Sequence, residues 1–371
     1  MVRRPDDYIE RLDQLGASWR EGEHGRVVED FGDADTEYWA VRSGGAGIAD
    51  RCERETFAIS GGDAVPWLQG LVTADLLELQ EPGSGLWTPV TNVNGRMIGD
   101  LRVLHVPDLL FIDLEPGTLE GGLLSHFRQQ VILEDVELSD RTETTGRIGL
   151  FGDAAAEILG RAAELQRDPA ELGGFDGAWG RLAGEDVIVQ SNPTTGEPGF
   201  DIAFDRRRAG AVWDVLVEAG GEQLEPVGGQ VLETLRIEAG FPRFGVETGD
   251  DVIPLEAGMG DLISFEKGCY LGQEIIARLD TRGTPAKKLR TLVFDGGAAP
   301  HVEAEVEADG RDSGRVVSSV WSPLLEAPVA LAYVKRNAND IGGRVDVEGR
   351  EARVEPLGHP LGAAESEAES K

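Results

Sequence analysis

The sequence predicts an α+β protein with two related αβ lobes and a small C-terminal β-barrel. Strand-like and helix-like segments between residues 54 and 129 recur in a similar order between residues 147 and 239, which suggests an internal duplication. After residue 289 the pattern changes to short strands separated by turns, which is typical of a small barrel. A chain of 371 residues with 40% apolar residues has enough material for two or three such units.

Periodicity predicts the elements that precede and form the first lobe. Helices are expected over residues 6–15 and 35–43, with a short hairpin between them. Residues 54–60 alternate like a strand, and Asp63 is the expected N-cap of the next helix. An Asn-Gly turn at 92–95 should join two strands, because this dipeptide favours a tight hairpin. The remaining predictions are strands over 86–93, 96–104 and 109–114 and a helix over 117–129.

The second lobe and the barrel are predicted from the segments that follow. Strands of the lobe are expected at 147–151, 186–191 and 199–204, and helices at 154–165, 206–218 and 228–239. The six barrel strands are expected at 289–295, 303–308, 314–321, 329–334, 343–347 and 351–355. We therefore predict a two-lobed region at 1–286, a barrel at 287–361 and a disordered tail at 362–371, which is rich in small and acidic residues.

The charge balance excludes several classes of protein. Sixty-eight acidic and 35 basic residues give a net charge of −33, dispersed along the chain. This composition is typical of a cytoplasmic protein adapted to molar salt, where a Debye length of about 3 Å screens self-repulsion. No basic stripe predicts nucleic-acid binding, and no apolar run predicts a membrane span. Two cysteines and five scattered histidines cannot form a disulfide framework or a four-thiolate cluster, so no metal site is expected.

The most informative segment is Lys267–Glu274, with the sequence Lys-Gly-Cys-Tyr-Leu-Gly-Gln-Glu. It contains one of the two cysteines, Cys269, and one of only five lysines, Lys267. A nearby ammonium or helix N-terminus favours the reactive thiolate form of a cysteine. The alternative is a cysteine that only packs, since free cysteine is among the most buried residue types. The residues alone leave both interpretations open.

Several blocks in a fixed order accompany this segment. They occupy residues 67–75, 94–101, 195–201, 235–240, 254–258 and 314–323. Over about residues 25–360, this series resembles the folate-binding superfamily of the glycine-cleavage T-protein (aminomethyltransferase) and its YgfZ-type relatives. Within the superfamily, the Lys-Gly-Cys-Tyr-x-Gly-Gln-Glu segment with Arg278 after it is similar to the YgfZ signature.

The resemblance implies a tri-lobed fold in which two αβ lobes surround a folate cavity beside the barrel. A YgfZ-type protein would bind tetrahydrofolate, or a one-carbon derivative of it, and support maturation or repair of iron–sulfur client proteins through a reactive cysteine. The alternative is an aminomethyltransferase that moves a one-carbon unit from an aminomethyl-lipoyl carrier protein to tetrahydrofolate. In either case we expect a cytoplasmic monomer without a permanent metal or cluster.

The resemblance also assigns roles to residues that could bind folate. Glu197, in the Thr-Gly-Glu block, is the expected acceptor for the pterin ring, whose 2-amino and N3 groups need a carboxylate; the alternative is an ordinary glutamate in a hairpin turn. Arg236 is expected to hold the folate carboxylates or to fix Glu197, since a guanidinium suits a carboxylate; the alternative is an ion pair with Glu233 or Glu238 on the helix surface. Asn92 could line the pocket or only form its turn. Tyr270 is a further predicted folate-binding residue.

The predicted catalytic residues are Cys269, Lys267 and Asp100. T-proteins carry paired acids after the Asn-Gly turn, whereas this chain has Gly99 followed by Asp100. The surviving acid could orient a pterin or amine nitrogen, or it could be an ordinary carboxylate on a strand. Lys267 is expected to activate the thiol of Cys269.

Overall fold

The computed structural model describes residues 4–283 and 285–358, so the predicted disordered tail at 362–371 lies outside the described residues. The predicted fold class is confirmed: two αβ lobes are followed by a closed barrel. No helix in these two described ranges is long and apolar enough to span a membrane.

An N-terminal segment and the first lobe occupy the first part of the chain. The segment consists of α1 (Asp6–Gln14), a separate hairpin of β1 (Ser18–Gly22) and β2 (Gly25–Asp30), and α2 (Ala34–Arg42). An antiparallel sheet in the order β5-β6-β7-β4-β8 forms the first lobe. Its strands are β4 (Glu55–Ser60), β5 (Gly85–Thr91), β6 (Met97–Val106), β7 (Leu109–Leu114) and β8 (Glu137–Asp140), and its helices are α3 (Ala64–Gln69) and α4 (Leu124–Gln130).

The second lobe is built on a sheet in the order β10-β11-β12-β13-β9-β3-β14. Its strands are β3 (Ala46–Asp50), β9 (Thr145–Phe151), β10 (Ala163–Leu165), β11 (Gly177–Leu182), β12 (Glu185–Ser191), β13 (Gly199–Asp205) and β14 (Leu224–Pro226). Its helices are α5 (Ala155–Ala162) and α6 (Ala209–Gly220), and α7 (Gly229–Glu238) leads away from it. The order β4-β7-β6-β5 of the first lobe recurs as β9-β13-β12-β11, as a duplication would produce.

Two local predictions for the lobes are wrong. The helix expected at 154–165 ends at Ala162, because residues 163–165 form β10 and pair with β11. Asp63 does not cap α3 through its side chain; its carboxylate accepts a hydrogen bond from the backbone N–H of Asp135 instead. In both cases a partner distant in sequence outweighs the local propensity.

The barrel closes in the order β15-β18-β17-β16-β19-β20, and all six strands predicted for it are present. They are β15 (Lys287–Phe294), β16 (Glu305–Ala308), β17 (Arg311–Ser322), β18 (Ala327–Lys335), β19 (Arg344–Val347) and β20 (Arg350–Glu355), preceded by α8 (Gln273–Arg282). The buried carboxylate of Glu247 ties the barrel to the lobes: it accepts from Arg236 on α7 and from Ser318 in β17.

The two lobe sheets pack face to face, and this arrangement creates the central site. Along β13, Phe200 and Ile202 enter the core of the second lobe, whereas Ala203 contacts Leu104 and Phe111 of the first lobe. Asp201 therefore shares the inner face of the sheet with Ala203, because side chains alternate along a strand. One end of this interface is apolar, and the other end is lined by charged residues.

Candidate functional site

A cavity of about 590 Å³ lies where the two lobes, the β1–β2 hairpin and α7 meet. This volume is in the range of ordinary small-molecule sites. Many charged side chains line its wall, and they come from the hairpin, from the end of β3 and the β3–β4 connection, from β6, from the residue after β7, and from α7 and the loop that follows it. The residues used below are Arg51, Arg54, Arg102, Glu115, Arg236 and Arg243.

Behind this wall, Asp113 on β7 anchors three arginines. Arg54 binds it through three hydrogen bonds of 2.6 to 3.0 Å, Arg102 approaches to 3.2 Å, and Arg147 of the second lobe to 3.0 Å. Glu115 accepts from Arg54 at 2.5 Å and from Arg102 at 3.4 Å. Since Arg147 lies on β9, this network joins the two lobe sheets at the base of the cavity.

The network keeps both carboxylates ionised. Burial by itself raises the pKa of Asp113, but the positive charges of Arg147, Arg54 and Arg102 outweigh it and lower the pKa. Burial likewise opposes ionisation of Glu115, yet Arg54 and Arg102 lower its pKa to about 2. The base of the cavity is therefore a fixed set of charges rather than a titrating one at neutral pH.

Asp201 contributes a free acceptor beside this network. Its side chain is 3% exposed, and Oδ2 accepts from Asn192 at 2.7 Å. Oδ1 is buried and has no hydrogen-bond partner among the described residues. Arg51 and Arg102 lie 3.8 and 3.9 Å from the Asp201 carboxylate, so the group stands next to two arginines of the cavity wall. A buried acceptor without a donor calls for a ligand or a bound water.

Glu197, the predicted pterin acceptor, is engaged elsewhere. Its carboxylate pairs with Arg42 of α2 and is absent from the residues that line the cavity. The same guanidinium binds Glu238 at 2.7 Å, and the hydroxyl of Tyr38 donates to Glu238 at 2.8 Å. In this structure Glu197 therefore belongs to a cluster that holds α2 against α7. Its role in folate binding stays a prediction.

Arg236 lines the cavity, but its donors are occupied. It donates to Glu233 at 2.6 and 3.0 Å, to Glu247 at 3.0 and 3.1 Å, and to the carbonyl oxygen of Phe241 at 2.5 Å. No hydrogen bond to Glu197 is among them. This arrangement differs from the expectation that Arg236 fixes Glu197, because Arg42 makes that pair. Arg236 instead fixes the loop at the cavity mouth.

The two predicted residues near the Asn-Gly turn have different surroundings. The side chain of Asn92 accepts from the backbone N–H groups of Asn94 and Arg96, so it forms the turn. Asp100 lies on β6, two residues before Arg102, and is 6% exposed. Burial and the nearby charge of Glu115 raise its pKa to about 7. Asp100 is thus a buried carboxyl group that can exchange a proton near neutral pH.

Close packing leaves little room for a side chain at Gly99. A Cβ atom there would lie 3.2 Å from Leu123 and 3.3 Å from Thr118, which are side chains of the first lobe. Gly99 therefore faces the interior of that lobe, whereas Asp100 faces away from it. An acidic side chain at position 99 would therefore clash with Leu123 and Thr118.

Lys267 is held by backbone carbonyl groups. Its ammonium group donates to the oxygens of Gln69, Val72 and Ala74 at 2.6 to 2.8 Å, at the end of α3. Burial lowers the pKa of Lys267 to about 8, so the group is charged at neutral pH. All three ammonium hydrogens have acceptors, which explains a compact ammonium at this position. Activation of Cys269 by Lys267 stays a prediction.

Cys269 lies on a loop that is anchored to the first lobe, and its side chain is exposed. The backbone N–H of Leu271 donates to Gly70, and Thr91 donates to the carbonyl oxygen of Leu271 at 2.7 Å. Gly272 has a φ of 86°, and a Cβ atom there would lie 2.6 Å from the oxygen of Asn92. The glycine therefore permits the close approach of this loop to the turn. Cys269 is absent from the cavity lining.

Tyr270 is buried in an apolar cluster with Ile253, Ile263 and Ile276. Its hydroxyl has no hydrogen-bond partner among the described residues, and burial raises its pKa to about 12. Tyr270 does not line the cavity. Its predicted contact with folate stays a prediction.

We expect Lys267→Met to destabilise the protein by about 2–3 kcal/mol, because it leaves three buried carbonyl oxygens without their charged donor. Denaturant unfolding at molar salt measures the change. Lys335→Met is the matched control, since the Lys335 side chain is 48% exposed and pairs with Asp312 at the surface. Equal midpoints for the two variants would show that the ammonium group of Lys267 is dispensable for folding.

Sequence analysis missed most of the charged site. Arg54, Arg102, Asp113, Arg147 and Asp201 were not selected as candidates. Four of them, all except Arg54, interrupt apolar strand segments, and that signal could have marked them, since a charge inside a buried strand needs a partner. The identity of each partner depends on how the two sheets face each other.

The residues described, 4–283 and 285–358, contain no group of three or more His, Cys, Asp or Glu side chains arranged to hold a metal ion.

Two family models match the chain. Residues 8–267 match the GCVT N-terminal domain, and residues 287–360 match the glycine cleavage T-protein C-terminal barrel domain. The chain belongs to the glycine cleavage T-protein family. The superfamily predicted from the ordered blocks is therefore confirmed.

Relatives in the family carry the name aminomethyltransferase. The protein from Caldanaerobacter subterraneus is 30% identical over 314 residues, which cover 84% of this chain and 83% of the relative. That from Cutibacterium acnes is 28% identical over 347 residues, covering 91% of this chain and 92% of the relative. The crystal structure of the glycine cleavage system aminomethyltransferase T from Bartonella henselae has a TM-score of 0.82 with 20% identity, covering 95% of this chain and 96% of that one. The last similarity supports the fold.

These names favour the alternative prediction over the YgfZ-type one. Neither the YgfZ branch nor iron–sulfur maturation is supported by the relatives named above, whose printed names are aminomethyltransferase. The Lys267–Glu274 segment remains the feature on which the YgfZ-type prediction rests.

Proposed function

We propose that the protein is a tetrahydrofolate-dependent aminomethyltransferase that takes a one-carbon unit from an aminomethyl-lipoyl carrier protein. The observation that carries the proposal is the free Oδ1 of Asp201 beside a 590 Å³ cavity, in a chain whose relatives are named aminomethyltransferase. The predicted cytoplasmic location and monomeric state remain expectations.

The pterin ring is assigned to the inner end of the cavity, next to Asp201, which lies behind the lining residues Arg51 and Arg102. Its 2-amino and N3 groups are hydrogen-bond donors, and Oδ1 of Asp201 is an acceptor to which no described residue donates a hydrogen bond. Asn192 holds the other oxygen at 2.7 Å and so fixes the plane of the carboxylate. Preorganisation of this kind lowers the cost of ordering the site when a ligand binds.

The folate carboxylates fit the outer end. Arg243 lines the cavity, its side chain is 37% exposed, and one of its nitrogens donates to Glu233 at 3.0 Å. The remaining edge of the guanidinium can receive a carboxylate, the geometry for which arginine is suited. Arg236 stabilises this arrangement from behind, because it binds Glu233 as well.

Tetrahydrofolate supplies the nitrogen atoms that accept the one-carbon unit. Asp100 does not line the cavity, but it lies on the same face of β6 as Arg102, which does. We assign it the role of moving a proton or holding a cationic amine there, because its pKa of about 7 lets it serve in either protonation state. The fixed charges of Asp113 and Glu115 hold Arg102 in position close by.

A turnover assay tests this proposal. The protein, in molar salt, is mixed with an aminomethyl-loaded lipoyl carrier protein and tetrahydrofolate, and release of ammonia and formation of methylene-tetrahydrofolate are followed. We expect turnover that persists in Cys269→Ala, because Cys269 does not line the cavity. Folate binding without turnover would contradict the transferase proposal.

A second candidate is the YgfZ-type function, which the exposure of Cys269 favours. A thiol on a surface loop can reach a client protein, whereas a buried thiol cannot. The two candidates differ in one measurement. If Cys269→Ala binds folate normally but fails to restore iron–sulfur enzyme activity in cells that lack the protein, the YgfZ-type function is supported.

We expect the rate of transfer to rise as pH increases through about 7, where Asp100 loses its proton. Only the carboxylate form of Asp100 can accept a proton, so deprotonation of Asp100 should raise the rate. Asp100→Asn should lower kcat by about 10²–10⁴-fold and remove this rise. Steady-state rates from pH 5.5 to 9 at constant salt provide the check. An unchanged profile in the variant would exclude Asp100 as the titrating group.

A further inference from the structure

A second pocket, of about 460 Å³, lies outside the folate cavity where the two lobes join. Three arginines and three acidic residues are among those that line it: Arg4, Arg206, Arg207, Asp6, Glu143 and Asp205. None of these residues lines the cavity proposed for folate.

Arg206 links the two connections between the lobe sheets. Its Nη2 donates to the carbonyl oxygens of Cys52 at 3.2 Å, Thr142 at 2.7 Å and Thr145 at 2.6 Å. Cys52 belongs to the connection from β3 to β4, and Thr142 to the connection from β8 to β9. One guanidinium nitrogen thus contacts both of these connections between the lobes.

The other two nitrogens of the same guanidinium have no acceptor in the described part of the chain. Arg206 is 5% exposed, and its Nε and Nη1 have no hydrogen-bond partner among the described residues. No carboxylate described in the structure forms an ion pair with it. Burial lowers the pKa of Arg206, and the nearby carboxylates of Asp50 and Glu53 offset this effect only in part. A buried charge of this kind is normally compensated by an ion pair or a bound ion.

The neighbouring charges do not fill this role. Arg4 is committed to Asp50 at 2.6 Å and Glu53 at 3.2 Å. Asp205 accepts from the backbone and side chain of Arg207, both at 3.0 Å to its Oδ1, and does not bind Arg206. Arg206 also begins the turn that leads directly into the 12-residue helix α6, whose N-terminus adds a positive electrostatic potential.

We propose that this pocket binds a small inorganic anion, a halide or a tetrahedral oxyanion, against the unused Nη1 of Arg206. The bound anion places a negative charge in direct contact with the guanidinium. It therefore stabilises the connection between the two lobes, through the carbonyl contacts that Arg206 makes with its Nη2. This site is independent of folate binding and of the transfer reaction.

Crystals of the full chain soaked in sodium bromide or in sodium tungstate distinguish the two anion classes. We expect an anomalous peak within hydrogen-bonding distance of the Arg206 guanidinium in at least one soak. A bromide peak supports a halide site, and a tungstate peak supports an oxyanion site. Ordered water, or an empty pocket, in both soaks would overturn the proposal.

Thermal unfolding gives a second measurement in solution. The wild type is compared in potassium chloride, potassium phosphate and potassium glutamate at equal ionic strength, so that screening of the overall charge is constant. We expect chloride or phosphate to raise Tm by about 2–4 °C over glutamate. Arg206→Lys, which keeps the charge, and Arg206→Met should both lose this difference.

Arg207→Met is the matched control, because the Arg207 side chain is 86% exposed at the same pocket. It should keep the anion-specific shift. If all three variants retain the shift, or if the wild type shows none, Arg206 does not bind an anion. Should Arg206→Met fail to fold, Arg206→Lys and the crystal soaks still decide the question.

Discussion

Asp113→Asn should destabilise the protein by about 3–5 kcal/mol, the largest effect on folding that we expect from a single substitution. The change removes one charge with almost no change in shape. It leaves Arg54, Arg102 and Arg147 buried beside a neutral amide. The loss of stability is large because the three arginines stay buried without the negative charge that they share.

Chemical unfolding at constant molar salt measures this effect through the denaturant midpoint. Asp186→Asn is the matched control, because Asp186 pairs with Arg181 while its side chain is 92% exposed, and such pairs contribute about 0–1 kcal/mol. A midpoint for Asp113→Asn as close to the wild type as the control would show that the network does not hold the lobes together.

The network around Asp113 also predicts how the stability of the protein depends on pH. The pKa of Asp113 is lowered in the folded protein, so its contribution is complete above the ordinary carboxyl pKa of about 4 and is lost as pH falls below it. Glu115, with a pKa of about 2, adds to the loss in the same direction. Wild-type stability should therefore fall more steeply below pH 4 than that of Asp113→Asn.

Asp201→Asn should weaken tetrahydrofolate binding by about 10–100-fold, corresponding to about 1.5–3 kcal/mol for a hydrogen bond to a charged acceptor. The amide presents a donor where the carboxylate offered Oδ1, so it faces the pterin donors with the wrong polarity. Calorimetric titration of tetrahydrofolate at molar salt measures the loss. Thermal unfolding of the variant confirms that the binding site is still folded.

Glu197→Gln is the control that shows whether the loss of tetrahydrofolate affinity is specific to Asp201. Since Glu197 pairs with Arg42, whereas Asp201 adjoins Arg51 and Arg102 of the cavity wall, the substitution of Glu197 should leave the affinity nearly unchanged. The opposite outcome, with affinity lost in Glu197→Gln and kept in Asp201→Asn, would favour the role that sequence analysis gave to Glu197.

The architecture could be predicted from sequence because its signals are local. The barrel strands follow from alternation and turns, and the hairpin at 92–95 follows from an Asn-Gly turn. The ordered blocks were sufficient to predict the superfamily. Errors occurred where distant partners intervened, as at residues 163–165, which pair with β11 rather than extend a helix.

Residue types and their order along the chain determined the lobes, the barrel, the family and the presence of several acids near a shared centre. Only the tertiary structure decided which acid keeps a buried oxygen without a hydrogen bond. Arg42, 155 residues earlier in the chain, pairs with Oε1 of the partly exposed Glu197, whereas Asn192 holds Oδ2 of Asp201 and leaves its buried Oδ1 without a donor. An acidic side chain can bind a ligand only through an oxygen that no other residue of the protein occupies. The packing of the two sheets, and not the spacing along the sequence, decides which residues occupy each oxygen.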